Sequence, residues 1–231
     1  MIQTRRTALQ LGFAAALASP GLAQASPRRL RVLMLSDLHS PYGRLAALLA
    51  RMRRVMAQPG AANLVLIDGD VFEAGNAAAR RSGGVVDWAF LRALTRRATV
   101  VWNLGNHDAD LANVLAPTVA MARRLGVIVL TNIRDSGSGK PEAPSEVQLR
   151  LGLPVRIVGL ATPALGTYPE PLRRTLDVPA PAEWAKGHIG QPPPGGLLVV
   201  MSHAGLDADR EILPMVPDGT LFLGGHNHLV L

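Results

Sequence analysis

From Leu30 onward, short runs of Leu, Val and Ile alternate with longer amphipathic stretches, and this rhythm limits the folds open to the chain more than any other feature. Leu30 to Leu35, Leu64 to Ile67, Thr99 to Leu104 and Val127 to Leu130 read as buried strands. Leu45 to Met56, Val85 to Arg96 and Leu111 to Leu125 repeat their apolar residues at helical spacing. Strand, helix, strand in sequence predicts an α/β fold with a mainly parallel sheet covered by helices. Val147 to Leu151 and Val155 to Leu160 flank Gly152-Leu153-Pro154 and read as a hairpin, and Leu197 to Met201 and Thr220 to Leu223 add two strands. Asp135 to Ser145 and Thr162 to Pro194 are loops by composition, with one short helical stretch near Glu183. There is no internal repeat and neither loop is large enough to fold alone, so residues 26–231 read as one layered domain.

Composition removes several classes of function. With 231 residues and 48% hydrophobic content the chain can bury a continuous core, which excludes disorder throughout. The absence of cysteine excludes disulfides, thiolate zinc sites and a cysteine nucleophile, leaving His, Asp, Glu, Asn and backbone oxygen for any metal. The charge of +7 suggests nucleic acid, but the arginines are scattered in pairs, mostly at the ends of predicted helices where cations offset the helix dipole. Aromatic residues are 4% of the chain, too few for base-stacking platforms, so stable nucleic-acid binding is not expected.

The first 25 residues read as an address. Thr4-Arg5-Arg6-Thr7 precedes an apolar run from Ala8 to Ala18, then Ser19-Pro20-Gly21 and the small-x-small site Ala23-Gln24-Ala25. These are the parts of a secretory signal, and the paired arginines resemble one taken up by the twin-arginine export machinery. A periplasmic location is expected, and no stretch of the mature chain is long and apolar enough to span a bilayer.

The chemistry-bearing residues fall where strands stop. His39, His107, His203, His226 and His228 lie just past the carboxyl end of a predicted strand, as do Asp37 and Asp70. That edge is where ligands bind in open α/β sheets. In extended chain Asp37 and His39 would point the same way while Leu38 turns to the core. Singly, each cluster has a plain structural explanation: Asp70 could be a turn residue or helix N-cap, and Gly105-Asn106 a turn with Asn106 left-handed. Five such clusters in order are harder to explain that way. His188, in the proline-rich region, reads as a surface residue.

In order, the clusters are Asp37-Leu38-His39, Gly69-Asp70, Gly105-Asn106-His107-Asp108, Ser202-His203 and Gly225-His226-Asn227-His228, and as a set they resemble the signature of the calcineurin-like metallophosphoesterases. The resemblance runs from about Arg31 to His228. It implies a layered β-sandwich flanked by helices and a dinuclear-metal-dependent phosphomonoesterase or phosphodiesterase. It further implies one metal on Asp37, His39, Asp70 and His228 and a second on Asp70, Asn106, His203 and His226, with Asp70 bridging. Donors of this kind suit manganese, iron, zinc or cobalt. Two such ions share and activate a hydroxide and clamp the phosphoryl oxygens of a small phosphate-ester substrate. His107 would stabilise the transition state or protonate the leaving group, oriented by Asp110, Glu73 or Asp108, with Asp110 favoured by its spacing.

More narrowly, Gly105 to Asp110 and Leu130-Thr131-Asn132-Ile133 resemble the exported 5'-nucleotidase and cyclic-phosphodiesterase branch. That branch continues into a nucleobase-stacking domain and its catalytic domain adds further strands, so the chain reads as truncated after His228, with an exposed sheet edge near Leu231. A metal-binding module that only recognises a partner, and an incomplete fragment, are the competing readings.

Overall fold

In the computed structural model, which describes residues 29–228, every parallel strand carries apolar residues on both of its faces. The export signal expected at residues 1–25 and the edge expected near Leu231 lie outside the described residues.

The first half is built from βαβ units. Strands β1 (Leu30–Ser36), β2 (Ala62–Asp68), β3 (Thr99–Asn103) and β4 (Ile128–Leu130) form one parallel sheet in that order. Their connections contain α1 (Tyr42–Met56), α2 (Ala77–Ser82), α3 (Val85–Thr95) and α4 (Leu115–Arg124). After a small pairing of β5 (Arg134–Asp135), the chain enters a second four-stranded sheet. There β6 (Glu146–Arg150) and β7 (Pro154–Ala161) make the expected hairpin, and β8 (Leu176–Asp177) returns to pair with β5. Next come α5 (Pro181–His188), β9 (Leu197–His203), α6 (Leu206–Ile212) and β10 (Leu221–Gly224), with β7, β9 and β10 parallel.

Side-chain parity assembles the layers. On β2, Val65 and Ile67 face α1, α3 and α4 through Leu45, Met52, Phe90, Leu94 and Val119, whereas Leu64 and Leu66 face Val155, Ile157, Val199 and Met201 of the second sheet. The outer face of that sheet is closed by Trp184 and Ala185 of α5 and Ile212 of α6. The result is the layered α/β sandwich with flanking helices, in place of the single sheet that the rhythm alone predicts. The second sheet exists because the inner face of the first is as apolar as its outer face and needs its own cover.

Other departures are local. The helix expected from Leu111 starts at Leu115, because residues 106–109 already form a tight turn. The short helices α2 and α6 were not expected; α2 is fixed by Asn76, whose side chain accepts hydrogen bonds from Ala78 N and Ala79 N as an N-cap. No helix among the described residues is long and apolar enough to cross a membrane.

Candidate metal centre

At the carboxyl edge of both sheets, side chains from five connections converge. Ligand atoms of Asp37, His39 and His228 lie within 4.8 Å of one another, as do those of Asp70, His203 and His226. Asp70 joins the groups: its Oδ2 is 3.0 Å from His203 Nε2 and 3.7 Å from His39 Nε2. His39 Nε2 is 3.0 Å from His228 Nε2, which is 3.3 Å from Asp37 Oδ1. The first sheet thus supplies Asp37, His39 and Asp70, and the second supplies His203, His226 and His228.

The backbone that delivers these groups is unusual. Asp37, His39, Asp70, His226 and His228 all have positive φ, between 50° and 80°. Non-glycine residues there are uncommon, and such outliers gather at functional sites. Asp37 and His39 therefore meet through successive left-handed turns, not through the extended chain expected from sequence, because the backbone folds back as Asp37 N and His39 N donate to Gly69 O and Asp70 O. Asp70 does sit in a turn, yet it reaches the cluster, while Asn106 begins a right-handed turn and is not left-handed. Gly69 has φ 73°, and a Cβ on it would lie 2.2 Å from His203 Nδ1; a Cβ on Gly105 would lie 2.3 Å from Asp70 Oδ1. These two glycines let the imidazole and carboxylate approach.

Hydrogen bonding on the far side of each ring fixes what the near side offers. His203 Nδ1 is 2.9 Å from the carbonyl of Asp68, so it carries the proton and leaves the Nε2 lone pair bare. That Nε2 is buried, faces Asp70 outside hydrogen-bond geometry and has no partner among the described residues. His39 Nδ1 donates likewise to Glu73 Oε2 at 3.1 Å. Asn106 donates its amide to Thr167 O, and its Oδ1 is buried without a partner. Imidazole nitrogens and carboxylate oxygens thus converge, and the buried Nε2 of His203 and Oδ1 of Asn106 are left without a partner among the described residues, which is costly unless a cation is bound. The donor set fits a divalent metal.

Without a cation, protons take its place. Burial opposes charge on His203, but the Asp70 carboxylate, with Asp68 and Asp37 beyond it, lifts its pKa to about 10. Burial also works against ionised Asp70, yet His203 and the His107 N–H hold it below the usual carboxylate range. His226 is pushed down by burial and by His203, leaving it a neutral ring suited to ligation.

His107 stands at the rim with its Nδ1 2.8 Å from Asp110 Oδ2, which also accepts from Ala74 N. That hydrogen bond, against partial burial and helped by Asp70 and Glu73, raises the imidazole to about 9. Glu73 is instead engaged with His39 and with Gly75 N. Asp108 faces away from His107 and is fully buried, accepting from Gly105 N, Asp70 N, Val71 N and Trp102 Nε1 at 2.7–3.1 Å. It clamps the Asp70 loop to the loop carrying Asn106 and His107. Sequence reasoning gave Asp108 no such part, although an acidic residue three positions after a turn-starting glycine is the spacing of a capping box.

Asn103 was also missed: its Nδ2 lies within hydrogen-bond reach of Asp68 Oδ1, Leu160 O and Met201 O, tying the two sheets beneath the site. Its only signal was a polar residue ending an apolar strand. His188 is half-buried, stacked on Trp184 at 4.3 Å and far along the chain from every cluster.

No curated protein matches the chain. The family model described as calcineurin-like phosphoesterase matches residues 30–230, a span that holds every converging side chain described above, and the chain belongs to that family of hydrolases acting on phosphoric ester bonds.

Proposed function

We propose that the chain hydrolyses a small phosphate ester with two divalent cations, one held by Asp37, His39, Asp70 and His228 and the other by Asp70, Asn106, His203 and His226. The observation that carries this reading is the buried, unpartnered Nε2 of His203 facing Asp70, with its tautomer fixed by Asp68 O. When bound, such cations supply Lewis acidity to the phosphoryl group and to the attacking water.

The chain's own groups do the rest. Asp37 and Asp70 balance part of the metal charge, leaving a cationic site for a phosphate. Glu73 and the Asp68 carbonyl hold His39 and His203 in the ligating tautomer. His107, protonated with Asp110 on its Nδ1, has Nε2 free to donate a proton to the departing oxygen. A nucleotide-directed specificity has less support, because Leu130, Thr131, Asn132 and Ile133, which share in carrying that narrower resemblance, are buried, with Asn132 accepting from Ala161 N. The Arg5-Arg6 pair and the apolar run after it support export through the twin-arginine route to the periplasm.

Elemental analysis of purified protein, joined to hydrolysis of an aryl phosphate, tests the assignment. About two equivalents of divalent metal and metal-dependent turnover are expected, with activity falling to background in Asp70→Asn. Undiminished activity in that variant refutes the ligand set. A fully loaded protein that turns over neither monoesters nor diesters shows a recognition module instead.

A further inference from the structure

In the parallel βαβ units of the first sheet, α1, α3 and α4 run back antiparallel to the strands, so their carboxyl ends gather at the edge opposite the metal centre. Each ends in an arginine pair: Arg53 and Arg54 on α1, Arg96 and Arg97 just after α3, Arg123 and Arg124 on α4. All six are exposed, and among the described residues none has a carboxylate within 4.0 Å. The connections that follow these helices, residues 57–61, 96–98 and 125–127, contain no acidic side chain.

Offsetting helix dipoles does not absorb this charge. Three helix ends bring about −0.5 each, roughly −1.5 against six guanidinium groups. Packed helices lie about 8–10 Å apart, so the pairs form a row roughly 20 Å long. The carboxyl edge, by contrast, holds Asp37, Asp70, Glu73, Asp108 and Asp110.

Two further observations say what the basic pole meets. A cleft of about 440 Å³ between α1 and α3, lined by Leu45, Leu49, Phe90 and Ala93, carries Arg53, Arg92 and Arg96 among its walls. The chain also enters the fold here: Arg29, exposed just before β1 at this edge, adds a further guanidinium. Arg53 and Arg96 stand where this cleft meets the arginine row, and its other end lies at Tyr42 and Val86, where α1 and α3 begin.

We propose that this pole docks on an anionic bilayer surface, with the arginines on lipid phosphates and the metal centre facing away from the membrane. Arginine suits phosphate because its planar fork bonds two oxygens at once. Nucleic acid is the less favoured polyanion, since Trp88, Trp102 and Trp184 pack inside the fold and offer no stacking surface at this pole.

Co-sedimentation of the full chain with phosphatidylglycerol–phosphatidylcholine vesicles tests this. Every variant keeps the same N-terminal segment, so differences report the arginines alone. A lysine or arginine near an anionic surface contributes about fivefold in partition, so each double Arg→Gln change at a helix end is expected to weaken binding about 25-fold. High salt or pure phosphatidylcholine, which act on all six arginines at once, should weaken binding further than any one double variant. The Arg80→Gln/Arg81→Gln protein, altered at the end of α2 and away from this row, should partition like the parent, and aryl phosphate hydrolysis should be unchanged in all. Equal partition of helix-end variants and parent overturns the proposal, as does an equal loss in the α2 variant, which would make net charge the cause. Loss of oligonucleotide binding with vesicle binding intact overturns it in favour of nucleic acid.

Discussion

Replacing Asp110 by Asn removes the charge that keeps His107 protonated while leaving an oxygen for Ala74 N. His107 rises from 6.5 to about 9 chiefly through the Asp110 hydrogen bond. The sign follows directly. Below pH 6.5 the ring is protonated with or without Asp110, and only between pH 6.5 and about 9 does the carboxylate make the difference. At pH 8 the protonated fraction would fall from about 0.9 to about 0.03 if the whole shift were lost. His107 is partly solvent-exposed and Asp70 and Glu73 remain nearby, so the expected loss is smaller, about tenfold in kcat/KM at pH 8. At pH 6 the variant should lie within about twofold of the parent. The assay is a pH profile of kcat/KM on an aryl phosphate at saturating metal. A variant whose alkaline limb stays where the parent's lies would refute the role given to the pair, and a uniform loss at all pH values would mean that Asp110 acts only on loop structure.

Asp108→Asn turns an acceptor for four donors into a side chain with one acceptor oxygen, leaving buried N–H groups unsatisfied. Destabilisation of about 2–4 kcal/mol is expected in urea unfolding, and a loss under about 1 kcal/mol would contradict the clamp. Gly69→Ala forces a Cβ to 2.2 Å from His203 Nδ1 at φ 73°, so metal content should fall along with stability; full metal occupancy in this variant would count against His203 as a ligand. Chelation should abolish hydrolysis and lower Tm by about 10–20 °C, as expected for two cations each held at about 100 times its Kd, with recovery on adding manganese. A melt indifferent to chelator would sink the metal reading.

The helices and strands that build the sandwich were readable because their apolar periods are clean, as in Leu64 to Ile67 and Leu45 to Met56. Two sheets were not distinguishable from one by that rhythm, since Leu64 and Val65 are equally apolar and sequence does not say what lies across each face. The clustered Asp and His residues stood out because their positions at strand ends coincide with the family's ordered blocks. The way the backbone delivers Asp37 and His39 was hidden, because left-handed turns at non-glycine residues are set by tertiary hydrogen bonds such as His39 N to Asp70 O. Asp108 stayed open beside the favoured Asp110 for a related reason: adjacency to His107 allows contact, but in a tight turn neighbouring side chains diverge, and it is Asp110 that meets the ring.

Asp70 and Asp37 belong to one sheet, and His203, His226 and His228 to the other, in a chain that has no cysteine with which to cross-link them. Cations seated among these residues would serve as the molecule's rivets, joining segments more than a hundred residues apart in sequence. The fastening matters most for β10, four residues long at the margin of its sheet, whose following loop is moored by His226 N to Asp37. Metal loss should therefore first unmoor β10, and limited proteolysis should register this as faster cleavage around it before the rest of the sandwich yields.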